Sequence, residues 1–281
     1  MKKKIIAVAM AISMAFTMVA CSNGKDKKQE ETTKVNVFAA ASLSAVMKEL
    51  ESSFEKANPG VDIVINADSS GALQTQIEEG APCDVFFSAA QKQMDALEKK
   101  GLLVNKTRTN VVNNRLVVIT QPSSNTAVTG LADIAKAKSI ALADGSVPVG
   151  RYTRQAMVKL GILTGKDDPA DITTQEVSEQ LGGVVISEQS NVSKVLTAVE
   201  EGACEVGTTY LSDTVGHEKS VSILETVDRG VTGDIIYPVA QIVNADASRA
   251  ELAATEKFIV FITGDDAKPV YGKYGFDTDV E

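Results

Sequence analysis

Four short segments of this 281-residue chain hold residue types that could act on a small ligand: residues 39–42 (AAAS), 68–71 (DSSG), 147–150 (VPVG) and 189–192 (QSNV). Each follows an apolar run and precedes a helical pattern. Each therefore offers hydroxyls or close backbone approach beside the unpaired N–H groups and positive dipole end of a helix start. Neutral donors gathered in this way suit a compact anion. A carbohydrate site would ask for aromatics and a metal site for acids. Taken singly, each segment has a plainer explanation: a serine before a helix is an ordinary cap contributing about 1 kcal/mol, and Gly150 could serve a tight turn alone. The residues by themselves imply a cleft that binds an anion or another small polar ligand. Asp68 and Asp84 would repel an anion and read as helix-entry or lobe-positioning groups; Arg151 reads as a surface ion-pair partner of small energetic weight.

Other chemistries lack material. The chain has one histidine, His217, in a polar loop pattern, and no G-x-S-x-G, so a serine hydrolase has neither its base nor its elbow. Residues 161–167 (GILTGKD) have three residues between the glycines and Asp after the Lys, which is not a phosphate-binding P-loop. With 28 Lys and Arg against 37 Asp and Glu the net charge is −9, and the basic leader masks a body more acidic still. Such a field opposes nucleic acid, whose binding runs on phosphate neutralisation.

The elements that must position these segments alternate. Residues 35–40 are a strand-like run, and Leu43, Val46, Met47, Leu50 and Phe54 follow at helical spacing until Asn58-Pro59-Gly60 stops them. Strand patterns recur at 61–65, 84–87, 116–119, 140–143 and 206–210. Helical ones carry Leu73 and Ile77, then Met94 and Leu97, then run from Gly150 to Leu160, then carry Val192, Val195, Leu196 and Val199. The expectation is an α/β chain with mostly parallel sheets. The apolar stretches 115–119 and 236–240 look like crossings between two lobes, giving lobe I as 34–115 plus 239–281 and lobe II as 116–238.

The N-terminus reads as an export signal. Lys2, Lys3 and Lys4 precede an apolar run, 5–20, that is shorter than the roughly 20 residues of a membrane span. Residues 18–21 (MVAC) are similar to a bacterial lipoprotein cleavage box, which implies cleavage after residue 20 and lipidation of Cys21. Residues 21–33 then form a lipidated, flexible tether. The expected location is extracytoplasmic, at the cell surface or in the periplasm, anchored to the membrane. Cys83 and Cys204 start strands on different lobes and are expected as separate buried thiols.

Residues 37–43 (VFAAASL), 69–89 (SSGALQTQIEEGAPCDVFFSA), 144–150 (DGSVPVG), 207–210 (GTTY) and 274–276 (YGF) resemble, in order, the molybdate-binding proteins of bacterial ABC importers. The resemblance implies a two-lobed type II periplasmic-binding-protein fold with two crossing hinge strands that closes on its ligand. Carried over residue by residue, it implies oxyanion contacts from hydroxyl and N–H of Ser42 and Ser70, backbone N–H of Val149 and Val192, and the phenol of Tyr210. Ser69 beside Ser70 leaves open which of the two hydroxyls turns inward. The implied protein is a monomeric, non-enzymatic carrier without cofactor. It would take molybdate or tungstate to an ABC permease and its ATPase, touching molybdenum only within the bound oxyanion. Sulfate or phosphate capture, and an enzyme or sensor on the same fold, are the alternatives.

Overall fold

The β-branched runs and the helical stripes between them build two sheets in the computed structural model, which describes residues 32–280. The leader, Cys21 and most of the expected tether lie outside the described residues. Among the described residues, no helix is long and apolar enough to cross a membrane.

The strands are β1 (Thr33–Ala40), β2 (Val61–Asp68), β3 (Val85–Phe87), β4 (Thr109–Asn114), β5 (Leu116–Thr120), β6 (Ser139–Ala143), β7 (Val185–Gln189), β8 (Val206–Tyr210), β9 (Ser222–Thr226) and β10 (Ile235–Gln241). They form one sheet in the order β2-β1-β3-β10-β4 and a second in the order β7-β6-β8-β5-β9. The helices used below are α1 (Ser44–Ala57), α2 (Ser70–Glu78), α3 (Gln91–Lys99), α4 (Pro148–Lys159), α5 (Thr174–Gln180), α6 (Val192–Glu200) and α7 (Leu211–Thr214).

The helical stripes face the core as their spacing requires. Val46, Met47, Leu50 and Phe54 of α1 are buried, as are Val195, Leu196 and Val199 of α6, each side chain contributing about 1.5–3 kcal/mol by leaving water.

Each sheet is mixed, not mostly parallel. In the first, β1 pairs in parallel with β2 and β3, while β10 runs antiparallel to β3 and β4. In the second, β6 is parallel to β7 and β8, while β5 runs antiparallel to β8 and β9. The cause is the double crossing. β5 and β10 are the strands that arrive from the other sheet, so each enters at the end where its neighbours finish and runs against them. β10 belongs wholly to the first sheet from Ile235 onward, so the lobe boundary expected at residue 238 falls inside this strand.

Cys83 and Cys204 are both buried and unpaired. The Cys83 thiol donates to the Val85 carbonyl at 3.3 Å, and burial pushes its pKa up, leaving it an inert packing group. Asp84 acts as a positioning group: its carboxylate accepts from the Asn36 backbone at 2.7 Å and from the Asn244 amide at 2.8 Å, tying β1 to the segment after β10.

Candidate functional site

In a parallel sheet the chain leaves each strand at the same edge, and the following helix starts there with its N–H groups exposed. Here three parallel strands of each sheet end at one cavity between the lobes. Ala41 and Ser42 follow β1, Ser69 and Ser70 follow β2, and Ala89 follows β3 from one side. Val147 and Val149 follow β6, Val192 follows β7, and Tyr210 ends β8 from the other. Ser42, Ser70, Val149, Val192 and Tyr210 all line it, so the structure brings together the five residues singled out in the sequence. Its volume is about 10 Å³, the space of one water-sized sphere, beside an adjoining cleft of about 660 Å³ lined in part by Gly71 and Ser146 and by both signs of charge, Lys92 and Arg151 with Asp144 and Glu188. No charged residue lines the small cavity.

The two serines at the start of α2 divide the work. The Ser69 hydroxyl caps the helix, accepting from the Ala72 N–H at 3.2 Å. Ser70 is completely buried and its Oγ accepts from the Ala89 N–H at 2.9 Å. Ser70 Oγ accepts here and donates to no group among the described residues, so its hydroxyl proton is left to be given away. Ser42 sits in the short 3-10 turn leading into α1, its Oγ 2.9 Å from the Tyr237 hydroxyl. Val149 and Val192 belong to the first turns of α4 and α6, where N–H groups have no carbonyl four residues earlier to bond.

Tyr210 is 1% exposed and its hydroxyl is one of the few buried polar atoms without a hydrogen-bond partner among the described residues. Burial raises its pKa well above that of an ordinary phenol, so it remains a neutral O–H. A buried hydroxyl left unpaired costs about 1–3 kcal/mol. Tyr210→Phe is therefore expected to leave the melting temperature of the free protein unchanged or higher, while ligand affinity drops about tenfold. Thermal unfolding and a titration on the same sample check both signs.

α4 begins at Pro148, two residues before the start read from Gly150, because proline at the first helical position gives up only an N–H that no carbonyl would accept. Gly150 lets this helix press against the end of β6: a Cβ there would stand 2.1 Å from the Asp144 carbonyl oxygen and 2.4 Å from that of Ala143. Beneath this turn lies a residue the sequence reading missed. Arg154 is fully buried and donates to the carbonyls of Ala143 (2.7 Å), Gly150 (3.0 Å) and Ile172 (2.8 Å) and to the Thr174 hydroxyl (3.1 Å). It fixes the loop that presents Val149 and places a positive charge behind it.

The lobes also meet outside the cavity. Asp68 accepts from the Asn191 amide of the other lobe at 3.1 Å, and Lys92 of α3 pairs with Asp168 at 3.1 Å. Arg151 pairs with the same Asp168 at 2.9 Å. These solvent-accessible surface pairs contribute little energy. The backbones come close at Gly71, where a Cβ would lie 2.9 Å from the Ser146 carbonyl oxygen across the cleft. Gly71→Val is expected to hold the lobes apart, enlarging the radius of gyration in small-angle scattering and weakening ligand affinity without unfolding either lobe.

His217 lies away from the cavity, its Nδ1 2.6 Å from Glu200 on the surface. Among the described residues, no group of His, Cys, Asp and Glu is arranged to hold a metal ion.

Comparison with known proteins agrees with this geometry. The chain is 30% identical over 272 residues to YvgL of Bacillus subtilis (strain 168), covering 96% of each chain; the name of that protein assigns it by inference as an ABC transporter substrate-binding lipoprotein. It is 31% identical over 253 residues to the molybdate-binding protein ModA of Escherichia coli (strain K12), covering 86% of this chain and 88% of that one. The solved periplasmic molybdate-binding protein of Azotobacter vinelandii superposes with a TM-score of 0.69 at 22% identity, over 86% of this chain and 98% of that one, which shows the two-lobed fold. Residues 35–277 match the family described as bacterial extracellular solute-binding protein. The chain belongs to that family of binding proteins, and the resemblance to molybdate-binding proteins read from its motifs holds along nearly its whole length.

Proposed function

We propose that this protein captures molybdate or tungstate in the interlobe cavity and hands it to an ABC importer. The observation that carries the reading is the make-up of the cavity: residues with hydroxyls and residues of helix first turns line it, and none with a carboxylate does. Molybdate and tungstate are dianions without a proton at neutral pH, so a shell of donors satisfies every oxygen. Hydrogen phosphate carries a proton that would meet a donor and go unbonded, at a cost of about 1–3 kcal/mol. The helix starts of α2, α4 and α6 add the positive ends of their dipoles, and buried Arg154 of α4 adds positive charge behind Val149, offset in part by Asp144 and Glu188. A tetrahedral oxyanion needs more room than one water-sized sphere, and a small opening of the hinge supplies it. The names of the molybdate-binding relatives support the same ligand.

In this reading the protein works as a monomer without a cofactor and performs no chemistry on its ligand. Its partners are a permease and its ATPase. Export by the leader and a lipid on Cys21 would keep it extracytoplasmic at the membrane, a reading supported by the name of the Bacillus relative. The test is thermal unfolding of residues 22–281 with molybdate, tungstate, sulfate or phosphate at about 1 mM. A ligand at about 1,000 times its Kd stabilises by about 4 kcal/mol, a shift of several degrees at this size. A shift with molybdate and tungstate alone supports the proposal. A shift with sulfate or phosphate keeps the fold and overturns the ligand.

A further inference from the structure

The Ser42 hydroxyl has a second role hidden in its partners. Its Oγ lies 2.9 Å from the hydroxyl of Tyr237, which lies 3.0 Å from the side-chain amide nitrogen of Asn114; that nitrogen also lies 2.9 Å from Ser212 Oγ. All four residues are buried. The direction of each bond can be worked out by accounting for protons. The Asn114 carbonyl oxygen accepts from the Arg115 backbone N–H at 2.8 Å, which fixes the amide with its NH2 group toward the two hydroxyls. An amide NH2 only donates, so Tyr237 must accept from it. Tyr237 is fully buried, its pKa is raised far above the ordinary phenol value by that burial, and it keeps its own proton. Ser42 Oγ, 2.9 Å away, is the acceptor within hydrogen-bond distance to which Tyr237 gives that proton.

We infer that Asn114 and Tyr237 form a one-way hydrogen-bond relay in which Tyr237 donates to Ser42, so that Ser42 cannot give its own proton to Tyr237 and has it free for the cavity, making Asn114 and Tyr237 positioning residues that favour unprotonated oxyanions. Ser70 reaches the same state by a different route, through the Ala89 N–H. The relay starts at the crossing from β4 to β5, where the second amide proton of Asn114 holds Ser212 at α7 of the other lobe. The polarity of the pocket is thus set at the hinge. Released from the relay, Ser42 could turn its oxygen toward the ligand and accept the proton of hydrogen phosphate.

This inference rests on the oxyanion-binding reading above, and its test separates the two. Tyr237→Phe keeps the ring, which packs edge-on against Tyr210 at 5.9 Å and Phe276 at 5.5 Å, and removes only the relay oxygen. Asn114→Asp keeps the acceptor for the Arg115 N–H but turns the donor toward Tyr237 into an acceptor, reversing the relay. Molybdate Kd is measured for the wild type, Tyr237→Phe, Asn114→Asp, Ser42→Ala and the double variants of Ser42→Ala with each relay change. Each single variant is expected to bind about tenfold more weakly. Each double variant is expected to bind no more weakly than Ser42→Ala alone, because the relay acts only through Ser42. Hydrogen phosphate, used as competitor, should gain on molybdate by about tenfold in Tyr237→Phe. Losses that multiply in the doubles, or an unchanged Kd in both relay variants, overturn the relay while leaving molybdate binding standing. A wild type that does not bind molybdate overturns both.

Discussion

Ser70→Ala is expected to weaken oxyanion binding roughly tenfold to hundredfold. A hydrogen bond to a charged partner is worth about 1.5–3 kcal/mol, and Ser70 is the completely buried hydroxyl whose proton has nowhere else to go. The same change strips the Ala89 N–H of its acceptor, so the free protein should also lose about 1–3 kcal/mol. Calorimetric titration well below the melting temperature separates the two effects, because the folded fraction there stays near unity. Ser69→Ala is the built-in comparison: it removes a helix cap worth about 1 kcal/mol and should lower the melting temperature with a much smaller change in Kd. Equal affinity loss in both would put the ligand in the wrong place.

Gly150→Ala should damage both stability and binding through a single methyl group. Its carbon would stand 2.1 Å and 2.4 Å from two backbone oxygens that cannot swing aside. Relief requires α4 to lift from the end of β6. That movement breaks the Arg154 bonds to Ala143 and Gly150 and carries the Val149 N–H away from the cavity. Overpacking of this kind costs about 3 kcal/mol, or roughly 6–12 °C for a domain of this size. Affinity should fall more than about a hundredfold, since a donor and the charge behind it move together. Thermal unfolding and titration read the two effects; a variant that binds normally would show that the helix start does not position the ligand.

The elements were legible where local rules decide them. The stripe Leu43, Val46, Met47, Leu50 and Phe54 announces α1, and Ser190-Asn191 before an apolar stripe announces α6, which Asn191 caps through the Lys194 N–H at 3.0 Å. The serines that reach the cavity were legible because strand ends and helix starts coincide in this architecture. The choice between Ser69 and Ser70 was not: it depends on Ala89, nineteen residues away. The mixed character of the sheets was hidden because strand direction follows from which sheet a strand arrives from, and no residue within β5 or β10 records that. Arg154 was passed over because arginine is rarely buried. Its spacing still carried a signal, since it lies one helical turn after Gly150 and beside Thr153 and Met157, all on the buried face of α4. Asn114 and Tyr237 come from opposite crossings, 123 residues apart, and only the fold joins them.

The double crossing also sets an order of assembly. The second sheet is made entirely from residues between Leu116 and Thr226, whereas β10 of the first sheet must find β3, pairing Val239 with Phe87 across the whole of that span. Closing so long a loop from an unfolded chain is entropically unfavourable and slow. If the inserted lobe folds first, its two ends emerge side by side on β5 and β9, which are paired neighbours, and the remaining loop closure becomes short. The sequence-continuous lobe then acts as a template that delivers β10 to its slot, so damage within it should slow the folding of both lobes, while damage to the first sheet should leave the inserted lobe able to form.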